Sequence, residues 1–177
     1  HADPLKLLRD ITTALYENID YTPNSTEVDS PIDVVLETRK GVCQDFAHVM
    51  IALGRSLGIP CRYVSGYLFY HKDDRSTPDA THAWVEAYLP QTGWIGFDPT
   101  NNILAGERHI RVAVGRDYSD VPPTRGIFKG KAESELTVEV NVRRTESPFT
   151  VETLVPVTGW QPETDETRPQ QQQQQQQ

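Results

Sequence analysis

Two cysteines, Cys43 and Cys61, are all that the 177-residue chain carries. That is too few for a disulfide framework and too sparse for a zinc site, so a reducing compartment is the default expectation. There is no basic run either. Lys and Arg total 17 against 25 Asp and Glu, a formal net charge of -8, which argues against nucleic acid as a partner. No apolar segment approaches the ~20 residues a membrane span needs, and the N-terminus lacks the basic, apolar and small-residue zones of a signal peptide. The expectation is a soluble, cytoplasmic protein with no membrane partner. The chain opens at His1 rather than at Met, which fits a fragment or a processed form.

What cannot bury a core is concentrated at the C-terminal end. Residues 158–177 run through Arg168-Pro169 into Gln170–Gln177, a low-complexity tail. Residues 1–157 are left as one domain, long enough for a substantial core.

Asp3-Pro4 sets an N-cap and a proline at the first helical position, and Leu5, Leu8, Ile11, Leu15 and Ile19 follow at helical spacing. Ser30-Pro31-Ile32-Asp33 opens a short helix expected to end at Gly41. A third helix starts at once, with Phe46, Met50, Leu53 and Leu57 on one face and a stop at Gly58 and Pro60. Beyond it, Cys61–Tyr70, His82–Leu89 and Trp94–Asp98 have strand composition, the last two joined as a hairpin by Pro90-Gln91-Thr92-Gly93. Ile110, Val112 and Val114 alternate, as do Leu136, Val138, Val140 and Val142, and each set predicts a half-buried antiparallel strand. Helices first, then strands with hairpin connections, make an α+β fold.

In "RKGVCQDFAH" (39–48), Cys43 heads the third helix. Free backbone N–H groups and the positive end of the helix dipole favour a thiolate there, and the same N–H groups can hold an oxyanion. A free cysteine can equally be a small buried hydrophobe. Downstream, "THAWVEAYLPQTGWIGFDPTNN" places His82 at the opening of one strand and Asp98 at the close of the next. An imidazole beside a thiolate, oriented by a carboxylate, is the constellation nucleophilic acyl transfer needs. Singly, His82 is also a strand-end histidine and Asp98-Pro99-Thr100 an ordinary turn.

Taken in order, "GVCQDFA", "GIPCRYVSGYL", "HAWVE" and "GWIGFDPT", with "VAVGRDYSDVPPTRG" after them, resemble the transglutaminase-like superfamily of papain-type cysteine enzymes, and closely its bacterial protease-like branch. The resemblance implies a papain-like core in which a nucleophile helix packs on an antiparallel sheet. It implies Cys43 as nucleophile, His82 as general base and acid, and Asp98 as the residue that orients the histidine. The reaction implied is acyl transfer through a thioester, with a protein or peptide amide as acyl donor. Hydrolysis is expected over crosslinking to an amine, and a non-catalytic binding module is the alternative from a different class. The Cys43 N–H would serve the oxyanion, with no second donor assigned and Gln44 expected to point elsewhere. Cys61 stands where the family pattern favours alanine, which fits a small buried residue rather than a disulfide with Cys43.

Some expectations concern geometry. A three-residue loop Gln91–Gly93 would set Asp98 opposite Glu86, leaving four residues, roughly 13 Å, between Glu86 and His82 along the strand. Asp45 and His48 are candidates for supporting hydrogen bonds or for fold support. Trp84 and Trp94 share parity on the hairpin and are expected in the core, with the cleft wall as the alternative. Tyr67, Tyr70 and the charged loop from Asp73 to Asp79 belong either to a groove edge or to a solvated loop. His71 with Asp73 and Asp74, and His109 with Glu107, could be grouped as metal ligands, but no HExxH, paired CxxC or EF-hand pattern supports them. No cofactor or metal is expected.

Overall fold

A computed structural model describes residues 3–28, 30–78, 80–122 and 140–144. Its first helix, α1 (Pro4–Asn18), starts as the sequence predicts, with Asp3 accepting the Leu5 N–H at 3.0 Å. Leu8 and Leu15 are buried, and between them Thr12 stays helical by donating to the Leu8 carbonyl at 2.8 Å.

The second helix, α2, is shorter than expected: it spans Ile32–Thr38 and stops because Arg39 turns into the left-handed region, φ 58°. Lys40–Gly41 then forms a short strand, β2, parallel to β1 (Asp20–Tyr21). Ser30 does not cap α2; its hydroxyl accepts the Glu27 N–H at 2.9 Å. The clip between β1 and β2 fixes the chain two residues ahead of Cys43.

Helix α3 (Cys43–Ser56) is the central element. Phe46, Ala47, Val49, Met50, Ile51 and Gly54 are buried, so its first turns are enclosed on nearly every side. Leu53 and Leu57, expected on the buried face, are exposed, although Gly54 beside Leu53 is buried against Cys61. Leu53 lines an open groove with Ile11 and Leu15 of α1 and Ile32 and Leu36 of α2.

An antiparallel sheet packs against α3. Its strands are β3 (Cys61–Leu68), β4 (Thr81–Leu89), β5 (Gly93–Asp98), β6 (Ile103–Leu104) and β7 (His109–Gly115), in the order β6-β5-β4-β3-β7. Every other residue of β4, Ala83, Val85, Ala87 and Leu89, enters the core with Phe46, Met50, Tyr63 and Phe97. The fold is therefore α+β. Cys61 also lies in this core, packed so tightly on Gly54 that a Cβ there would sit 2.5 Å from its sulfur. Gly54 is three helical turns, about 16 Å, from Cys43. Both cysteines are free.

β7 forms as predicted, but Ile110, Val112 and Val114 are exposed rather than half-buried. Among the described residues it pairs with β3 at one end of the sheet, and Ala113 is a side chain that packs on the core. Of the second alternating stretch, Leu136 and Val138 lie outside the described residues; Val140 is buried and residues 140–144 carry no strand. The expected domain end at 157 and the tail beyond it also fall outside them.

β7 can lie this close only because of Gly66, where the β3–β7 register shifts. A Cβ there would come within 2.1 Å of the Ile110 carbonyl oxygen and 2.8 Å of the Trp84 ring. Gly66→Ala is expected to cost about 1–3 kcal/mol by forcing the strands apart, measurable as a lower urea midpoint with little change in slope.

Candidate active site

Val42 is extended (φ -114°, ψ 178°) and supplies no side-chain cap, so Cys43 becomes the first residue of α3. Asp45, one turn in, caps in its place: its buried carboxylate accepts the Val42 N–H at 2.7 Å and the Thr26 hydroxyl at 2.5 Å. The Cys43 N–H sits at the first helical position, where the helix has no preceding carbonyl to accept it. Gln44 points away, its amide donating to the Glu27 carbonyl at 3.1 Å. Asp45→Ala is expected to cost about 1–2 kcal/mol, the usual scale of a lost helix cap, read as a fall in the urea midpoint.

The hairpin register differs from the expectation in a way that matters. Leu89 pairs with Gly93 and Val85 with Phe97, so residues 90–92 form the loop and Gly93, φ 80°, opens β5. Asp98 then stands one step beyond the Val85–Phe97 pair, two positions nearer His82 than a pairing with Glu86 would put it. The remaining gap is spanned by the side chains themselves: His82 Nε2 lies 2.8 Å from Asp98 Oδ2.

Asp98 is wholly buried and heavily supplied with donors. Oδ2 is shared by His82 Nε2, His109 Nε2 at 3.2 Å and Asn101 Nδ2 at 2.8 Å. Oδ1 accepts the Thr100 and Asn101 backbone N–H groups at 3.0 and 3.2 Å, a local turn that fixes the carboxylate plane. Burial is the largest influence on Asp98 and pushes its carboxyl up, but the His82 charge and the hydrogen bonds from His109, His82 and Asn101 outweigh it. The group is held well below the ordinary carboxylate range.

His82 is buried too, and its ring stacks on Trp84 with centroids 6.0 Å apart. Burial alone pushes its imidazole down; the charge and hydrogen bond of Asp98, with a smaller contribution from Cys43, outweigh that and raise it well above 6.5. With Nε2 committed to Asp98, the other nitrogen, Nδ1, is buried and makes no hydrogen bond of normal geometry among the described residues. Cys43 is the thiol close enough to bear on it. The structure thus joins His82 to Asp98 by a hydrogen bond, with Cys43 near enough to His82 to contribute to its raised pKa.

Other side chains singled out from the sequence have structural partners. His48 Nε2 accepts the Tyr118 N–H at 3.2 Å and its ring lies 5.0 Å from that of Tyr63, while burial lowers its pKa. Trp84 is buried as expected. Trp94 is 42% exposed, with the Arg62 guanidinium 4.1 Å above its ring. In the loop after β3, Asp74 is engaged bidentately by Arg108 at 2.8 and 3.1 Å and accepts the His71 N–H. Arg75 lies over the Tyr16 ring and donates to the Tyr16 carbonyl, and its own N–H is held by Asn101 Oδ1 at 2.8 Å. That loop is tied to the fold at several points; Asp79 lies outside the described residues.

Two residues at the site, Asn101 and His109, were not identified from the sequence as partners of Asp98. Asn101 was findable in part, since Asp-Pro-Thr-Asn is a turn pattern that aims side chains back at its own start. His109 was not, for it begins β7, three strands away from β5 in the sheet. The chain from Ala105 to Arg108 carries it there, anchored by Ala105 N–H to the Gly96 carbonyl and by the Phe69 N–H to the Arg108 carbonyl.

Nitrogens of His82 and His109 and an oxygen of Asp98 all lie within 4.8 Å of one another, the spacing of a possible three-ligand metal site. The hydrogen bonds argue otherwise. His109 Nδ1 accepts the Gly106 N–H at 3.2 Å, whereas a metal-bound histidine commonly donates from its second nitrogen. The three groups form a hydrogen-bonded cluster.

The profile of the transglutaminase-like superfamily matches residues 1–99, a span that includes Cys43, His82 and Asp98. An uncharacterized protein of Mycobacterium leprae is 43% identical over 129 residues, covering 71% of this chain and 46% of its own length. A Mycobacterium tuberculosis protein, also uncharacterized, is 42% identical over 146 residues, covering 78% of this chain and 46% of its own. The chain thus spans about half the length of these relatives. A protein-glutamine gamma-glutamyltransferase of Pseudomonas aeruginosa is 33% identical over 117 residues, 58% of this chain and 17% of that protein. Among solved structures, "a Putative Cysteine Protease from Cytophaga hutchinsonii" superposes with a TM-score of 0.57 at 37% identity, over 65% of this chain and 37% of that one. No helix among the described residues is long and apolar enough to cross a membrane. By the profile match over more than half of its length, the chain belongs to the transglutaminase-like superfamily.

Proposed function

We propose that this domain is a cysteine-dependent acyl-transfer enzyme that hydrolyses an amide, peptide or isopeptide bond of a protein or peptide substrate. Cys43 is the nucleophile, His82 the general acid and base, and Asp98 the group that orients and charges the histidine. The observation that carries this reading is the state of His82: Nε2 is held at 2.8 Å by a buried carboxylate, and Nδ1, without a hydrogen-bond partner among the described residues, is left for the thiol at the head of α3.

In the proposed sequence the Cys43 sulfur, its proton passed to His82 Nδ1, attacks the amide carbonyl, and the developing oxyanion is met by the Cys43 N–H. His82 returns the proton to the departing amine as the C–N bond breaks, leaving a thioester. Water then attacks that carbonyl, giving its proton to His82, and the sulfur leaves as the acid is released. The likeness to a protein described as a cysteine protease supports water as the acceptor. The Pseudomonas aeruginosa relative supports a second reading in which a primary amine replaces water.

Incubating the protein with a glutamine-containing acyl-donor peptide and a primary amine, then weighing the products, separates the two. Free acid is expected; an amine adduct as the main product identifies a transferase. If neither forms over a broad peptide set and Cys43 resists stoichiometric alkylation by iodoacetamide near neutral pH, the enzymatic reading fails and a binding module on this fold takes its place.

A further inference from the structure

We propose that His109 is a positioning residue for this site, donating from Nε2 to Asp98 Oδ2 so that the carboxylate stays charged and aimed at His82. The proposal rests on the roles given to His82 and Asp98 above and extends them to a residue outside the triad.

The tautomer follows from its neighbours. A backbone N–H can only donate, so the Gly106 N–H at 3.2 Å requires Nδ1 of His109 to be unprotonated. The proton of the neutral ring is then on Nε2, the atom that lies 3.2 Å from Asp98 Oδ2. The ring is held in that pose. Its side chain is 3% exposed, and it meets the Trp84 ring edge-on with centroids 5.0 Å apart. Trp84 in turn stacks on His82, so the indole packs against both imidazoles that converge on one oxygen.

The physical need is plain. A carboxylate with no exposure to water depends on protein donors to remain ionised. Oδ1 is served by local backbone N–H groups, but Oδ2 must hold His82 in place and keep its own orientation. Asn101 and His109 supply the donors that do so, Asn101 from the turn itself and His109 from the start of β7.

Three variants, His109→Ala, His109→Gln and Asp98→Asn, are compared by the pH dependence of Cys43 alkylation with iodoacetamide, mapped to Cys43 by peptide mass, with a melting curve for each. His109→Ala is expected to slow the reaction by about tenfold or more, the scale of one hydrogen bond to a charged group. Its acid limb should move to higher pH, because Asp98 with fewer donors takes up a proton sooner. His109→Gln, whose amide nitrogen can reach the same oxygen, is expected to restore the rate to within about threefold and return the limb. A loss that is equal in both variants, flat with pH and proportional to unfolding overturns the proposal, as does a parental profile in His109→Ala while Asp98→Asn is impaired. A parental profile in Asp98→Asn as well removes the triad reading, and the role of His109 with it.

Discussion

Cys43→Ala is expected to remove turnover on any substrate, by on the order of 10^5-fold or more, the scale seen when the nucleophile of a covalent mechanism is deleted. The loss is this large because attack, thioester and release all run through one sulfur. Cys61, the other thiol, is locked against Gly54 in the core. The fold should hardly notice: Cys43 is half-buried at a helix head, and removing one sulfur there is expected to move stability by no more than about 1 kcal/mol. Initial rates and thermal melts on the same preparation check both halves. Residual activity near the parental level would mean that the chemistry lies elsewhere.

Asp98→Asn is expected to lower the rate by roughly 10^3- to 10^4-fold while leaving the backbone in place, as neutralising the orienting carboxylate of a triad does. An amide offers Nε2 of His82 a neutral acceptor in place of a counter-charge. The burial that now opposes protonation then meets only the smaller contribution of Cys43, and the imidazole is expected to fall from well above 6.5 to below it. Histidine NMR titration of parent and variant reads this change directly.

The same substitution has a signed effect on stability. His82 is raised on folding, so its contribution is complete below about pH 6.5 and is lost as pH rises through the folded value. Asp98 is depressed, so its contribution is complete above about pH 4 and is lost as pH falls through a folded value well below that. The gap in stability between parent and variant should therefore be widest from about pH 4 to 6.5 and narrow on the alkaline side. Urea denaturation at a series of pH values measures it.

How far these features could be read from residues alone depended on how local their causes are. Asp3-Pro4 started α1 where its capping chemistry requires, and a helix from Cys43 followed from periodicity and from Gly58 and Pro60 behind it. Gly93 announced its positive φ, yet the loop it closes began one residue earlier, and that single step changed which residue Asp98 faces. Here a local turn decides a long-range meeting, and turn residues alone permit both registers. The exposure of Leu53, Ile110 and Val112 was illegible for another reason: periodicity tells which residues share a face, not whether anything covers it. His109 shows the limit most clearly. Its link to Asp98 is made by a crossover from Ala105 to Arg108, and nothing within that segment's own sequence specifies where it lands.

The most direct test of Cys43 as the acylated residue is mass spectrometry of the protein quenched in acid during turnover of an activated acyl donor. The peptide carrying Cys43 is predicted to gain the mass of the acyl group, as an adduct that hydroxylamine removes and that accumulates further in His82→Ala if deacylation is the slower step. Steady turnover with no acyl mass on Cys43, or with the adduct on another residue, would contradict it.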